Sequence, residues 1–144
     1  MIRYLLDTDV TSQAGKARPN RNVLAWLDTV QDSELAISVI TLRERLEGVE
    51  AAKRSGSAHA ADLEADIEDL VAAFRGRILP IDEGAARRWA RLLVPDASHA
   101  EDKAQLAIAV ANDLTLVTLN WKHVQGFGIP VLNPGRRPPK VYTS

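Results

Sequence analysis

The 144-residue chain has no cysteine. That excludes disulfides, a thiolate nucleophile and cysteine-ligated zinc together, and it fits synthesis in a reducing compartment. Long hydrophobic runs are missing as well. No stretch of about 18 apolar residues could span a bilayer, and no basic segment at the amino terminus leads into an apolar stretch and a small-residue cleavage site. The expectation is a cytoplasmic protein with no membrane partner. Nor is there an excess of charge of one sign: 18 basic residues face 19 acidic ones, for a net charge of −1. A uniformly basic nucleic-acid-binding surface is thereby excluded, and a polyanionic partner must be met by a local patch, helped by a metal ion. Histidine is scarce, at three residues. His59, His99 and His123 show neither a ligand spacing nor a dyad, so solvated or locally hydrogen-bonded roles are expected, with His123 the one to watch.

What is present is 46% hydrophobic residues, enough for one core and one domain spanning residues 1–144. The organising stretch is Ile2-Arg-Tyr-Leu-Leu-Asp7, a short apolar run that stops on a carboxylate. It reads as a buried strand that delivers Asp7 to the crevice beyond the carboxyl ends of a parallel sheet, where side chains on loops gather. Leu35 to Ile40 reads as a second buried strand, and Thr41-Leu-Arg-Glu44 behind it has the form of a capping box opening a helix. A longer helix follows through Leu63, Ile67, Leu70 and Phe74, with acids on its other positions. Ile78-Leu-Pro-Ile81 reads as a short edge strand, with Asp82 capping the helix that carries Trp89 and Leu93. Ser98-His-Ala-Glu101 has the form of a second capping box, before an alanine-rich helix with Asp102 in its first turn. Leu114–Thr118 and Ile129–Leu132 complete four to five strands, and residues 133–144 read as a basic, proline-rich surface tail. Strands alternating with helices give an α/β domain, three layers deep, with a largely parallel sheet.

Three acids thus stand where strands end or helices begin: Asp7, Glu44 and Asp102. If they share one crevice they cannot ionise together without cost, because like charges raise one another's pKa. A bound cation resolves the conflict. Carboxylate-only ligation favours Mg²⁺ or Mn²⁺ over zinc, and such an ion supports hydrolysis of a phosphodiester. Asn120, after the fourth strand, could orient a water or a phosphate oxygen. Each residue also has a plainer reading: Glu44 completes a capping box, Asp102 favours a helix dipole, and Asn120 is a turn residue. Trp26 and Trp89 read as core, whereas Trp121 is open between core and a base-stacking surface. Arg43, Arg45, Arg136 and Arg137 could meet phosphates or simply be solvated.

On these residues the chain resembles the PIN-domain family, and within it the VapC-type toxins of bacterial toxin–antitoxin pairs. Leu5-Leu-Asp-Thr-Asp-Val10 matches the opening motif, and Ile37-Ser-Val-Ile-Thr-Leu-Arg-Glu44, with Gly48 behind it, matches the second. Asp102 through Asn120 matches the third, and Val131-Leu-Asn-Pro134 the closing segment. The resemblance implies a Mg²⁺- or Mn²⁺-dependent endoribonuclease with Asp7, Glu44 and Asp102 as metal and catalytic residues and Asn120 beside them. It also implies an RNA substrate, a cognate antitoxin partner of the VapB kind, and a homodimer. Two departures stand out. His123 occupies the place of a further acid, so that Asn120 or Asp9 must fill that role or activity is reduced. Lys103 and Gln105 replace apolar residues close to Asp102, and Lys103 either compensates the acids or points to water. Two other functions are kept in view: a PIN-fold binding protein with weakened catalysis, and a phospho-accepting receiver-like module using Asp82 and Lys122.

Overall fold

The computed structural model describes residues 1–143. Its sheet has six strands, one or two more than expected: β1 (Tyr4–Leu6), β2 (Leu35–Ser38), β3 (Ile78–Leu79), β4 (Thr115–Val117), β5 (Val131–Asn133) and β6 (Lys140–Tyr142). Their spatial order is β3-β2-β1-β4-β5-β6. All neighbours are parallel except β5 and β6, which pair antiparallel. The additional strand is β6, inside the segment expected as a surface tail. The segment is largely exposed, but Val141 and Tyr142 pair with Leu132 and Val131 and so extend the sheet. Local sequence could not announce this, because a three-residue edge strand is defined by its partner.

Six α-helices flank the sheet: α1 (Thr8–Thr11), α2 (Arg21–Leu27), α3 (Val39–Arg54), α4 (Ala60–Ala73), α5 (Glu83–Leu93) and α6 (Ala100–Ala111). Successive strand residues face opposite sides, and the core divides accordingly. Leu5, Ala36, Leu116 and Val131 pack with Ala85 and Leu92 of α5 and Ala104, Leu106 and Ile108 of α6. Their neighbours Leu6, Ile37, Val117 and Leu132 pack on the other face with Val10, Val23 and Trp26, which α1 and α2 supply. Burial on both faces is why these strands read as unbroken apolar runs. Leu5 and Ile37 are wholly inaccessible to solvent, and each such side chain contributes about 1.5–3 kcal/mol of transfer free energy.

Helix starts differ from the sequence expectation at two places. The cap of α3 is Ser38, not Thr41: its hydroxyl accepts from the backbone N–H groups of Ile40 (3.1 Å) and Thr41 (3.4 Å). The strand therefore ends two residues early, and Thr41 lies inside the first turn. The start of α6 carries no side-chain cap, and His99 takes the N-cap position with φ 53°, in the left-handed region. Asp82 does cap α5, accepting from the Ala85 N–H at 2.9 Å.

Strand order fixes where chemistry can gather. The chain winds outward from β1 through β2 to β3, then returns to lay β4 against the other side of β1. The loops after β1 and β4 consequently diverge and open a crevice at the carboxyl ends of these two strands.

Candidate acidic site

Asp7 ends β1 in that crevice and is 4% exposed. Its carboxylate accepts from Thr118 Oγ1 at 2.7 Å, from the Thr8 backbone N–H at 2.8 Å and from Gln105 Nε2 at 3.3 Å. Gln105, buried on α6, also donates to Thr41 Oγ1 (3.0 Å) and accepts from the Ser38 hydroxyl (2.6 Å). Thr41 Oγ1 in turn lies 3.0 Å from Thr8 Oγ1. One buried polar network therefore ties β1, α3, α6 and the end of β4 to a single carboxylate. Burial drives the Asp7 pKa above the ordinary carboxylate range, and the charge of Asp102 adds to the shift, while the three hydrogen bonds oppose it.

Asp9, on α1, stands beside it. One oxygen accepts from the Leu119 N–H at 3.1 Å, whereas Oδ1 is buried with no hydrogen-bond partner among the described residues. Burial first, and then the charges of Asp7 and Asp102, push its pKa up to about 7. Glu44, one turn and a half into α3, is half-buried, and burial and the charge of Asp7 raise its pKa as well. Arg43 lies 3.9 Å from Glu44 but forms its short contacts, 2.6 Å each, with Glu47 and Glu101. Asp102, in the first turn of α6, is close enough to Asp7 and Asp9 to raise both their pKa values.

Asp7 is thus the electrostatic centre: the charge of Asp102 acts on it, and its own charge acts on Asp9 and on Glu44. A cation fits this set, because an orphaned buried oxygen and mutually repelling carboxylates are both relieved by positive charge. Asn120 is placed differently. Its side chain is exposed, and its contribution here is a backbone N–H that donates to Thr118 Oγ1 at 3.0 Å. Arg136 and Arg137 line a cleft against α2 with Trp26. Trp121 packs on the core and stacks on Tyr142, with ring centroids 4.0 Å apart. Asp82 sits at the end of the edge strand β3, two strands away from Asp7.

Two expectations need correction. Lys103 neither compensates the acids nor points to water: its side chain is 3% exposed, and its ammonium donates to the Asp96 carbonyl and lies 5.8 Å from the Phe127 ring centroid. His99 and His123, for which neither a ligand spacing nor a dyad was expected, come together: His123 Nδ1 lies 2.7 Å from Asp102 Oδ2, and the His99 ring stacks on His123 at 3.7 Å. The usable signal was the three-residue interval from His99 to Asp102 across a helix start. The partner from the β4 loop was beyond local reading. Gln105 was visible as a polar residue on an otherwise apolar face, but its role as the link between β2, α3 and Asp7 was not.

Comparison with known proteins agrees with this architecture. The PIN domain family model matches residues 4–125, so the chain belongs to the PIN-domain family. It is 31% identical over 135 residues to the VapC ribonuclease Y4jK of Sinorhizobium fredii, covering 90% of this chain and 96% of that one. Identity to toxin FitB of Neisseria gonorrhoeae is likewise 31% over 135 residues, with the same coverage. Among solved structures, FitAB bound to a DNA fragment superposes with a TM-score of 0.82 at 29% identity, over 92% of this chain and 96% of that one.

Proposed function

We propose that this chain is a divalent-metal-dependent endoribonuclease acting, as a single domain over residues 1–144, as the toxin of a toxin–antitoxin pair. The observation that carries the reading is the pair of buried acids Asp7 and Asp9 joined through Thr118 at the β1–β4 crevice, one Asp9 oxygen having no partner among the described residues, with the charges of Asp102 and Glu44 coupled to Asp7. Relatives named as a ribonuclease and a toxin support it. Among the described residues no helix is long and apolar enough to cross a membrane; a cytoplasmic site of action is part of the proposal.

Asp7 and Asp102 would hold Mg²⁺ or Mn²⁺, with Glu44 completing the set. Such an ion supplies charge stabilisation at a phosphoryl oxygen and acidifies a water. The chain's own residues do the positioning. Thr118, Gln105 and the Thr8 N–H lock the Asp7 carboxylate in one orientation, so no reorganisation of that ligand is needed when substrate arrives. Glu44, half-buried and held above the usual carboxylate range, orients the attacking water, and Asn120, exposed at the rim, meets a phosphate oxygen or that water. The Arg43 guanidinium is taken up by Glu47 and Glu101 and leaves Glu44 free to face the crevice. A VapB-like antitoxin covering the crevice and a homodimeric toxin complete the proposal.

The test is cleavage of a mixed RNA pool by antitoxin-free protein with Mg²⁺, Mn²⁺ or chelator, alongside Asp7→Asn and Asp102→Asn. Metal-dependent cleavage lost in both variants is expected. Equal cleavage by all three proteins, or none by folded wild type under any metal, would overturn the reading. The second outcome favours a PIN-fold binding protein, for which His123 in place of an acid beside Asp102 is the specific observation.

A further inference from the structure

The imidazole pair is not used by the function just proposed. His99 comes from the turn before α6, Asp102 from the first turn of that helix, and His123 from the loop after β4. One donor atom from each, two nitrogens and a carboxylate oxygen, all lie within 4.8 Å of one another. Nothing in the local helix geometry asks for this: His99 holds φ 53° without contributing a side-chain cap to α6, in a region that non-glycine residues seldom occupy. Both histidines line an open cleft of about 320 Å³, so an ion can enter from solvent. Two lysines share the cleft walls, yet each is drawn elsewhere. The Lys103 ammonium is held by Asp96, and that of Lys122 lies 5.5 Å from the Trp121 ring centroid.

We propose that His99, Asp102 and His123 form a binding site for a nitrogen-seeking divalent transition ion of the Zn²⁺, Co²⁺ or Ni²⁺ class. It adjoins the carboxylate site and shares Asp102 with it. The donor set decides the class of ion: imidazole nitrogen binds these ions well and binds Mg²⁺ poorly, whereas the all-oxygen side of the crevice has the opposite preference. Three donors leave open positions for water or a further ligand, as in sites with two histidines and one carboxylate. Asp102 Oδ2 already meets His123, which leaves its second oxygen for the acidic side. The inference does not depend on the ribonuclease reading, because ion binding requires no RNA.

The test uses the full chain stripped of metal. Zn²⁺ titration should shift the imidazole ring signals of His99 and His123 together in a saturable one-to-one manner, while His59 stays unmoved and serves as an internal control. Competition against a chromophoric chelator should show Co²⁺ or Zn²⁺ bound about 10–100-fold more weakly by His99→Gln and by His123→Gln, with Mg²⁺ failing to compete. Unmoved His99 and His123 signals at saturating Zn²⁺ would overturn the proposal in the wild-type protein, whatever the folding of the variants. Equal affinity in folded variants and wild type would overturn it too. Loss of RNA cleavage with these shifts intact would sink the nuclease reading alone.

Discussion

The two sides of Asp102 are built on opposite plans. On the inner side, Asp7 is buried and locked by Thr8, Gln105 and Thr118, each from a different part of the fold. On the outer side, His123 is 37% exposed at its side chain and Asp102 23%, and the ring stack with His99 closes from two loops. The inner side is a fixed instrument whose free energy is poor in the absence of an ion, since buried carboxylates are charged at a cost. The outer side pays little for being empty. The contrast teaches that strand topology gathers charge on the inner side, while loop residues bring imidazoles to the outer one.

The largest effect that can break this comparison is Asp7→Asn. It should abolish metal-dependent RNA cleavage, a loss on the order of 100-fold or more, read as initial rates under a fixed Mn²⁺ concentration. An activity loss equally large in His99→Gln would erase the distinction between the two sides. Next is Gln105→Leu, which removes a donor to Asp7 and Thr41 and an acceptor for Ser38. Chemical denaturation should show a loss of about 1–3 kcal/mol from the unsatisfied groups left behind, whereas a neutral result would mean that the inner network is not a rigid support. Ser38→Ala removes the acceptor for two N–H groups at the start of α3 and should cost about 1 kcal/mol, measured the same way.

The smallest effect is a slope in pH. The Asp9 pKa is raised to about 7 from an ordinary value of 3.8, so the folded state holds a proton that the unfolded chain has released between those values. The associated stability is fully present below about pH 4 and is lost as pH rises through about 7. In ion-free protein, Asp9→Asn should flatten the fall in melting temperature between pH 5 and pH 8. An unchanged slope would place the titrating group elsewhere.

Much of the inner side was legible in the sequence. A strand ending on Asp7, a second running from Leu35 to about Ile40, two residues past its true end at Ser38, and a helix beginning near Asp102 are local signals, carried by apolar runs and by where they stop. What they deliver is one end of the sheet, and the order of the strands then does the rest. The outer side was largely illegible. His123 meets Asp102 across 21 residues, and only the winding of β4 beside β1 brings that loop to α6. Lys103 misled for the same reason: a charge beside a carboxylate in sequence suggests compensation, but the helix turns it inward toward Asp96 and Phe127. The capping boxes failed differently. Thr41-x-x-Glu44 and Ser98-x-x-Glu101 have the right composition, yet Ser38 captures the first helix and the left-handed His99 displaces the second.

The fold accumulates carboxylate charge at the β1–β4 crevice, and a divalent ion bound there, as proposed, would relieve it. The most direct test is the melting temperature of wild type and Asp7→Asn at pH 8, with chelator and with Mg²⁺ or Mn²⁺. The ion should raise the wild-type value, Asp7→Asn should melt at or above wild type in chelator, and the variant should respond weakly to the ion. A variant that melts well below wild type in chelator, with no response of wild type to either ion, would contradict it.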